Sequence, residues 1–125
     1  MWVFIFLIFV HWLADFVLQS RNMGERKGKD NFWLTLHVLV YSFATIFCWS
    51  LVFPLIKIPI SAERMWLSFM FMFAAHWITD YITSRVTGKF YSQQRWYGFF
   101  TTIGFDQVLH YIQLFTIYNY IILNK

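Results

Sequence analysis

Charge is scarce in this chain. Only 13% of its 125 residues are Asp, Glu, Lys or Arg, about half the ~25% usual in soluble domains. Hydrophobic residues make up 59% and aromatics 24%. A soluble fold of this size lacks the interior to hide that much apolar surface, so lipid is expected to solvate much of it. Cysteine is equally scarce: Cys48 stands alone, which excludes an intrachain disulfide and a zinc-finger framework. The apolar N-terminus has no basic n-region and no small-residue cleavage site, so it reads as a retained transmembrane helix rather than a signal peptide. No serine or cysteine stands out as a nucleophile. Net charge is +4, but the Lys and Arg residues cluster beside apolar segments. That placement suits headgroups and membrane topology, and no nucleic-acid partner is expected.

Histidine and aspartate are present in a pattern. Three of four histidines lie four residues from an aspartate: His11/Asp15, His76/Asp80 and Asp106/His110. Four residues is just over one helical turn, so each pair shares a helix face. Chance predicts roughly a quarter of one such pair in a chain of this composition. The fourth histidine, His37, sits alone in a similar apolar stretch.

The apolar segments read as four transmembrane spans at about 2–19, 32–56, 65–84 and 99–123, each near the ~20 residues that cross hydrocarbon. Helices are expected because lipid offers no partner to exposed backbone groups. The fold class is therefore all-α: an integral membrane four-helix bundle in a single domain over 1–125. Its two halves are similar. His11-Trp12-Leu13-Ala14-Asp15-Phe16-Val17 parallels His76-Trp77-Ile78-Thr79-Asp80-Tyr81-Ile82, and each motif leads to Ser-Arg, at Ser20-Arg21 and Ser84-Arg85. Each half is then a helical hairpin, related to the other as a parallel repeat. The two longer loops, Ser20 to Asn31 and Arg85 to Gly98, hold Arg21, Arg26, Lys27, Lys29, Arg85, Lys89 and Arg95; the other side holds Lys57, Arg64 and Lys125. The positive-inside rule places those loops in the cytoplasm and both termini outside.

At ~1.5 Å per residue, the seven groups His11, Asp15, His37, His76, Asp80, Asp106 and His110 all lie roughly 6–16 Å in from that cytoplasmic face. They come from four helices and can meet in one cluster. Gln19, Tyr41, Thr79, Thr83, Thr102 and Gln113 share their faces and can hold ligands in place or simply bond between helices.

Imidazoles and carboxylates in a low-dielectric interior suit Zn²⁺, with Mn²⁺ and Fe²⁺ as alternatives, as one or two ions. Such a metal lowers the pKa of a bound water toward ~7, which makes hydrolysis the natural reaction. Asp15, Asp80 and Asp106 are the catalytic candidates, one of them as general base. Arg21, Arg85, Gln19 and Gln107 are candidate substrate contacts. The two arginines can hold a phosphate or anchor helix ends at headgroups. Three other readings compete: a structural polar network between helices, an ion, proton or metal transporter, and a non-catalytic interaction protein of phage type. A unit this small can also assemble into homo-oligomers.

His11-x3-Asp15-Phe16-x-Leu18-Gln19, His37-Val38, His76-x3-Asp80-Tyr81 and Asp106-Gln107-x2-His110 together resemble a domain-of-unknown-function family of small phage and bacterial membrane proteins. More distantly the chain is similar to membrane-bound hydrolases, regulated by the SOS repressor and assigned as metal-dependent. Beyond those lies the zinc-dependent phospholipase C and P1 nuclease group. The resemblance implies a metal site of His and Asp on helices. It also implies a phosphoester substrate, such as a phospholipid or other amphiphile. The chain departs from the zinc group in lacking a soluble nuclease-like body.

Overall fold

A computed structural model describes residues 1–124; the positive charge assigned to Lys125 lies outside the described residues. Those residues are all helical, with no strand among them. The first rod is α1 (Trp2–Trp12) extended by a π-helical turn, Leu13–Val17. A short helix, α2 (Arg21–Arg26), leads to α3 (Asn31–Leu55). Then come α4 (Ala62–Ser92) and α5 (Trp96–Thr116), the latter extended by a second π-helical turn, Ile117–Ile122. The four long rods pack around one core, with α4 against both α3 and α5.

Polar caps set where the rods begin. Asp30 accepts from the Phe32 N–H at 2.8 Å to open α3, and Ser61 accepts from the Arg64 N–H at 3.2 Å to open α4. Each cap satisfies a donor that helix geometry leaves free. Single residues of positive φ, Lys57 (61°) and Gln94 (54°), follow the ends of α3 and α4, where the left-handed conformation stops a helix.

Two sequence expectations need correction. The third span was expected to end at Ser84, but α4 runs on to Ser92; Arg85 and Lys89 are helical, and the turn is confined to Gln93–Arg95. Polarity there reflects the end of apolar surroundings, not of the helix, since no proline interrupts the segment. The expected loop from Ser20 to Asn31 contains α2, opened by the Ser20 side chain accepting from the Met23 N–H at 3.3 Å. The second span ends where it was expected to: Pro54 sits in the last turn of α3, which stops at Leu55.

The termini and the α3–α4 connection share one end of the bundle. Arg64 Nη1 donates to the Ile122 carbonyl at 2.9 Å, and the Phe4 and Tyr118 rings meet edge-on. This end is apolar, with Trp49, Phe53, Ile117 and Ile122 fully buried. By length and composition α3 is long and apolar enough to cross a membrane, and Trp2–Val17 is a shorter apolar helix.

Candidate metal centre

The opposite end of the core is polar. His11, Asp15, His37, His76, Asp80 and His110 are all buried, none more than 3% exposed. Asp106, with a side chain 15% exposed, completes the group.

Each helix delivers its share through a specific local device. His11 ends α1, and Asp15 stands in the π-helical turn, where the Leu18 N–H donates to the Leu13 carbonyl five residues back. The sequence suggests an ordinary α-helical stripe through His11 and Asp15. That pairing holds, with His11 Nε2 3.6 Å from Asp15 Oδ2, while Asp15 Oδ1 also reaches His37 on α3 and His76 on α4; π-turns are often found at functional sites. His37 comes from the second turn of α3, His76 and Asp80 from the middle of α4, and Asp106 and His110 from α5.

Four of these residues meet most closely. His37 Nε2 lies 3.0 Å from Asp15 Oδ1, 3.3 Å from Asp80 Oδ2 and 3.3 Å from His76 Nε2. His76 Nε2 lies 3.5 Å from both Asp15 Oδ1 and Asp80 Oδ1. Donors held ~2.0–2.1 Å from a tetrahedral ion stand about 3.3 Å from one another. Hydrogen bonds account for part of the cluster only. Asp15 Oδ1, His76 Nδ1 and both ring nitrogens of His110 are buried without a hydrogen-bond partner, although His110 Nε2 is 3.3 Å from Asp80 Oδ1. Buried polar groups are rarely left so. Two imidazole nitrogens stand 3.3 Å apart with carboxylates beside them, close enough to hydrogen-bond to one another or to share an ion. Asp15, His37, His76 and Asp80 can hold a metal ion; His11 with Asp15 and His110, and Asp80 with Asp106 and His110, form smaller groups of the same kind.

Neighbouring side chains fix the ligands. The Tyr41 hydroxyl is 2.9 Å from His11 Nδ1, and Gln107 Oε1 is 2.9 Å from His11 Nε2. Gln107 Nε2 donates to Asp106 Oδ2 at 3.2 Å, and the Thr83 hydroxyl donates to Asp106 Oδ1 at 2.6 Å. Gln113 donates to Thr79 Oγ1 at 2.7 Å and so joins α5 to α4 at a distance from the ligands. Thr102 bonds back to the Gly98 carbonyl and does not reach Asp106.

A cavity of about 210 Å³ opens onto the cluster. Asp15, Asp80 and Asp106 border it, with Gln19, Gln107 and Thr83. Of the four expected substrate contacts, Gln19 and Gln107 therefore line the cavity and the arginines do not. Arg21 is exposed and pairs with Glu25 at 2.7 Å. Arg85 donates to Asn31 Oδ1 at 2.7 Å and lies 3.6 Å over the Tyr81 ring. Both point away because they stand on the outer faces of α2 and α4.

The cavity's cation is Lys27, which sequence reasoning counted only as loop charge. Its Nζ is 2.7 Å from Asp80 Oδ2 and 3.2 Å from His37 Nε2. Asp80 is 53 positions away along the chain, and no local pattern marks a contact at that range.

The molecule is thus an all-helical protein with a buried His/Asp ligand group that can hold a metal. Residues 3–125 match the model of the family described as "Protein of unknown function (DUF3307)", and the chain belongs to that family. No curated protein and no solved structure matches it.

Proposed function

We propose that this chain is an integral membrane hydrolase whose first three rods hold a single divalent cation, Zn²⁺ foremost, between Asp15, His37, His76 and Asp80. The substrate is a phosphoester, such as a phospholipid or another amphiphile. The observation that carries the metal reading is the approach of nitrogen and carboxylate atoms from three rods to 3.0–3.5 Å with orphaned polar atoms among them.

Charge favours one ion. Asp15, Asp80 and Asp106 face one lysine, which leaves two carboxylate charges for an ion to balance once the imidazoles ligate it in their deprotonated form. Buried charge is expensive unless balanced, and one divalent cation balances it. Asp15, His37, His76 and Asp80 would hold the ion, which would supply Lewis-acid activation of water only where one of the four leaves a coordination position open. Asp106 borders the cavity and lies outside the group of four closest ligands. It is the general base, with Oδ2 taking the proton, while Thr83 and Gln107 hold its carboxylate.

Large apolar side chains exposed on every rod support the membrane reading. Phe9, Phe47, Phe71 and Phe105 are each 46–64% exposed, and together such faces exceed what a water-soluble monomer ordinarily shows. The ligand end also carries most of the Lys and Arg residues, which favours a cytoplasmic site with both termini outside. The apolar end is filled by fully buried Trp49, Phe53, Ile117 and Ile122. This plug supports a site that ends within the bundle over a conducting path. The same reading places the chain's family near the membrane-bound hydrolases its motifs resemble.

Elemental analysis of the detergent-purified protein, followed by hydrolysis of phospholipid and simple phosphodiester probes, is the test. The expected result is one divalent ion per chain and an activity that Asp80→Asn abolishes. A metal-free protein whose activities survive Asp80→Asn would end this reading.

A further inference from the structure

The connection between the first two rods folds back over the ligand group. Gly28 makes this possible: a Cβ there would stand 2.8 Å from the Ser84 carbonyl oxygen, closer than backbone tolerates. The Arg85–Asn31 hydrogen bond fastens the connection to α4 a second time. Lys27, immediately before the first of these attachments, reaches inward to Asp80 and His37, and its side chain is 17% exposed. Burial opposes its charge, but the carboxylates of Asp80 and Asp15 more than offset that and raise its pKa above the ordinary value.

Lys27 touches two of the four closest ligands. His37 Nε2 offers one lone pair, so it cannot serve an ammonium and a metal together. Two cations sharing Asp80 Oδ2 in a dry site would also repel strongly. Among the described residues lining the cavity, Lys27 is the cation; its other polar walls are Gln19, Thr83, Ser84, Thr87 and Gln107 beside the aspartates.

We propose that Lys27 is a built-in counter-cation that competes with the divalent ion for His37 and Asp80, and that metal loading releases its ammonium into the cavity to bind the phosphoryl group of the substrate. The inference rests on the metal reading above. Without metal, Lys27 neutralises part of the carboxylate charge and keeps the ligands together. With metal, the same ammonium becomes the anion-binding wall that Arg21 and Arg85 do not supply. A lysine suits this exchange because its charge rides on a flexible stem with freely rotating donors.

Amine acylation of the full-length protein in detergent, read by peptide mass spectrometry, tests the exchange. Labelling of Lys27 relative to Lys29 and Lys57 is followed without metal, with Zn²⁺, and with Zn²⁺ plus inorganic phosphate, while bound zinc is measured in parallel. The expected result is a severalfold rise in Lys27 labelling on zinc binding and its reversal by phosphate. Lys27→Met should bind zinc severalfold more tightly, because the competitor is gone. Stoichiometric zinc with unchanged Lys27 labelling overturns the exchange and leaves the metal reading intact. A rise that phosphate does not reverse overturns the anion-binding role. No zinc uptake by the wild type or by Lys27→Met overturns both readings.

Discussion

At the end of the bundle that holds the termini, Trp49 and Phe53 pack at 5.2 Å, and Phe53 meets Tyr118 at 5.9 Å and Phe6 at 6.1 Å. At the other end, equally buried side chains are imidazoles and carboxylates that meet at 3.0–3.6 Å. Both ends are closely packed, but the forces differ. Aromatic contacts are short-ranged and forgiving of angle, and they stabilise whatever occupies the other end. Contacts between lone pairs and charges depend on what sits among them, and several here lack a protein partner. The apolar end thus provides stability and the polar end draws on it to hold groups in an arrangement they would not adopt alone.

The sharpest way to break this contrast is to damage one end at a time. Trp49→Ala should lower stability by about 3–5 kcal/mol in thermal unfolding with a chelator present, while the folded fraction keeps its metal. His76→Ala should do the reverse: metal content falls to background, with a smaller loss of stability in chelator. If both variants lose metal equally, the ends are not independent. A smaller effect is expected from Thr83→Val, which removes the donor to Asp106 Oδ1. A neutral hydrogen bond contributes about 0.5–1.5 kcal/mol and one to a charged group ~1.5–3 kcal/mol. Phosphodiester turnover should fall several-fold with metal content unchanged; unchanged turnover would remove Asp106 from its assigned role. The smallest effect belongs to Arg21→Ala. Its ion pair with Glu25 is exposed, so metal content, unfolding temperature and turnover should all match the wild type.

Helix content and six members of the buried His/Asp cluster were legible because both follow from periodicity, and His37 because its depth matches theirs. Apolar runs near twenty residues announce the rods, and the spacing of His11/Asp15, His76/Asp80 and Asp106/His110 announces shared faces. Periodicity assumes regular helices and near neighbours, and it fails where either assumption does. The π-helical turn at Asp15 lies in an unbroken apolar run with no glycine or proline to signal it. The extension of α4 beyond Ser84 is hidden because polar residues there look like a loop. Lys27 is the clearest case: its contacts depend on α2 folding the connection back, and Gly28 is the one local hint. Arg21 and Arg85 looked more suitable for an anion by position in the repeated motif, but an equivalent place in sequence is not an equivalent direction in space.

One further consequence follows from which rods donate the four closest ligands. Asp15, His37, His76 and Asp80 all lie upstream of α5. During synthesis the chain therefore carries this set before Asp106 and His110 have been made. If the proposed ion binds at that stage, the first three rods would gather around it, and α5 would arrive against a neutralised surface instead of carboxylates that Lys27 balances only in part. Metal supply while the protein is being inserted, rather than after, would then govern how much of it matures.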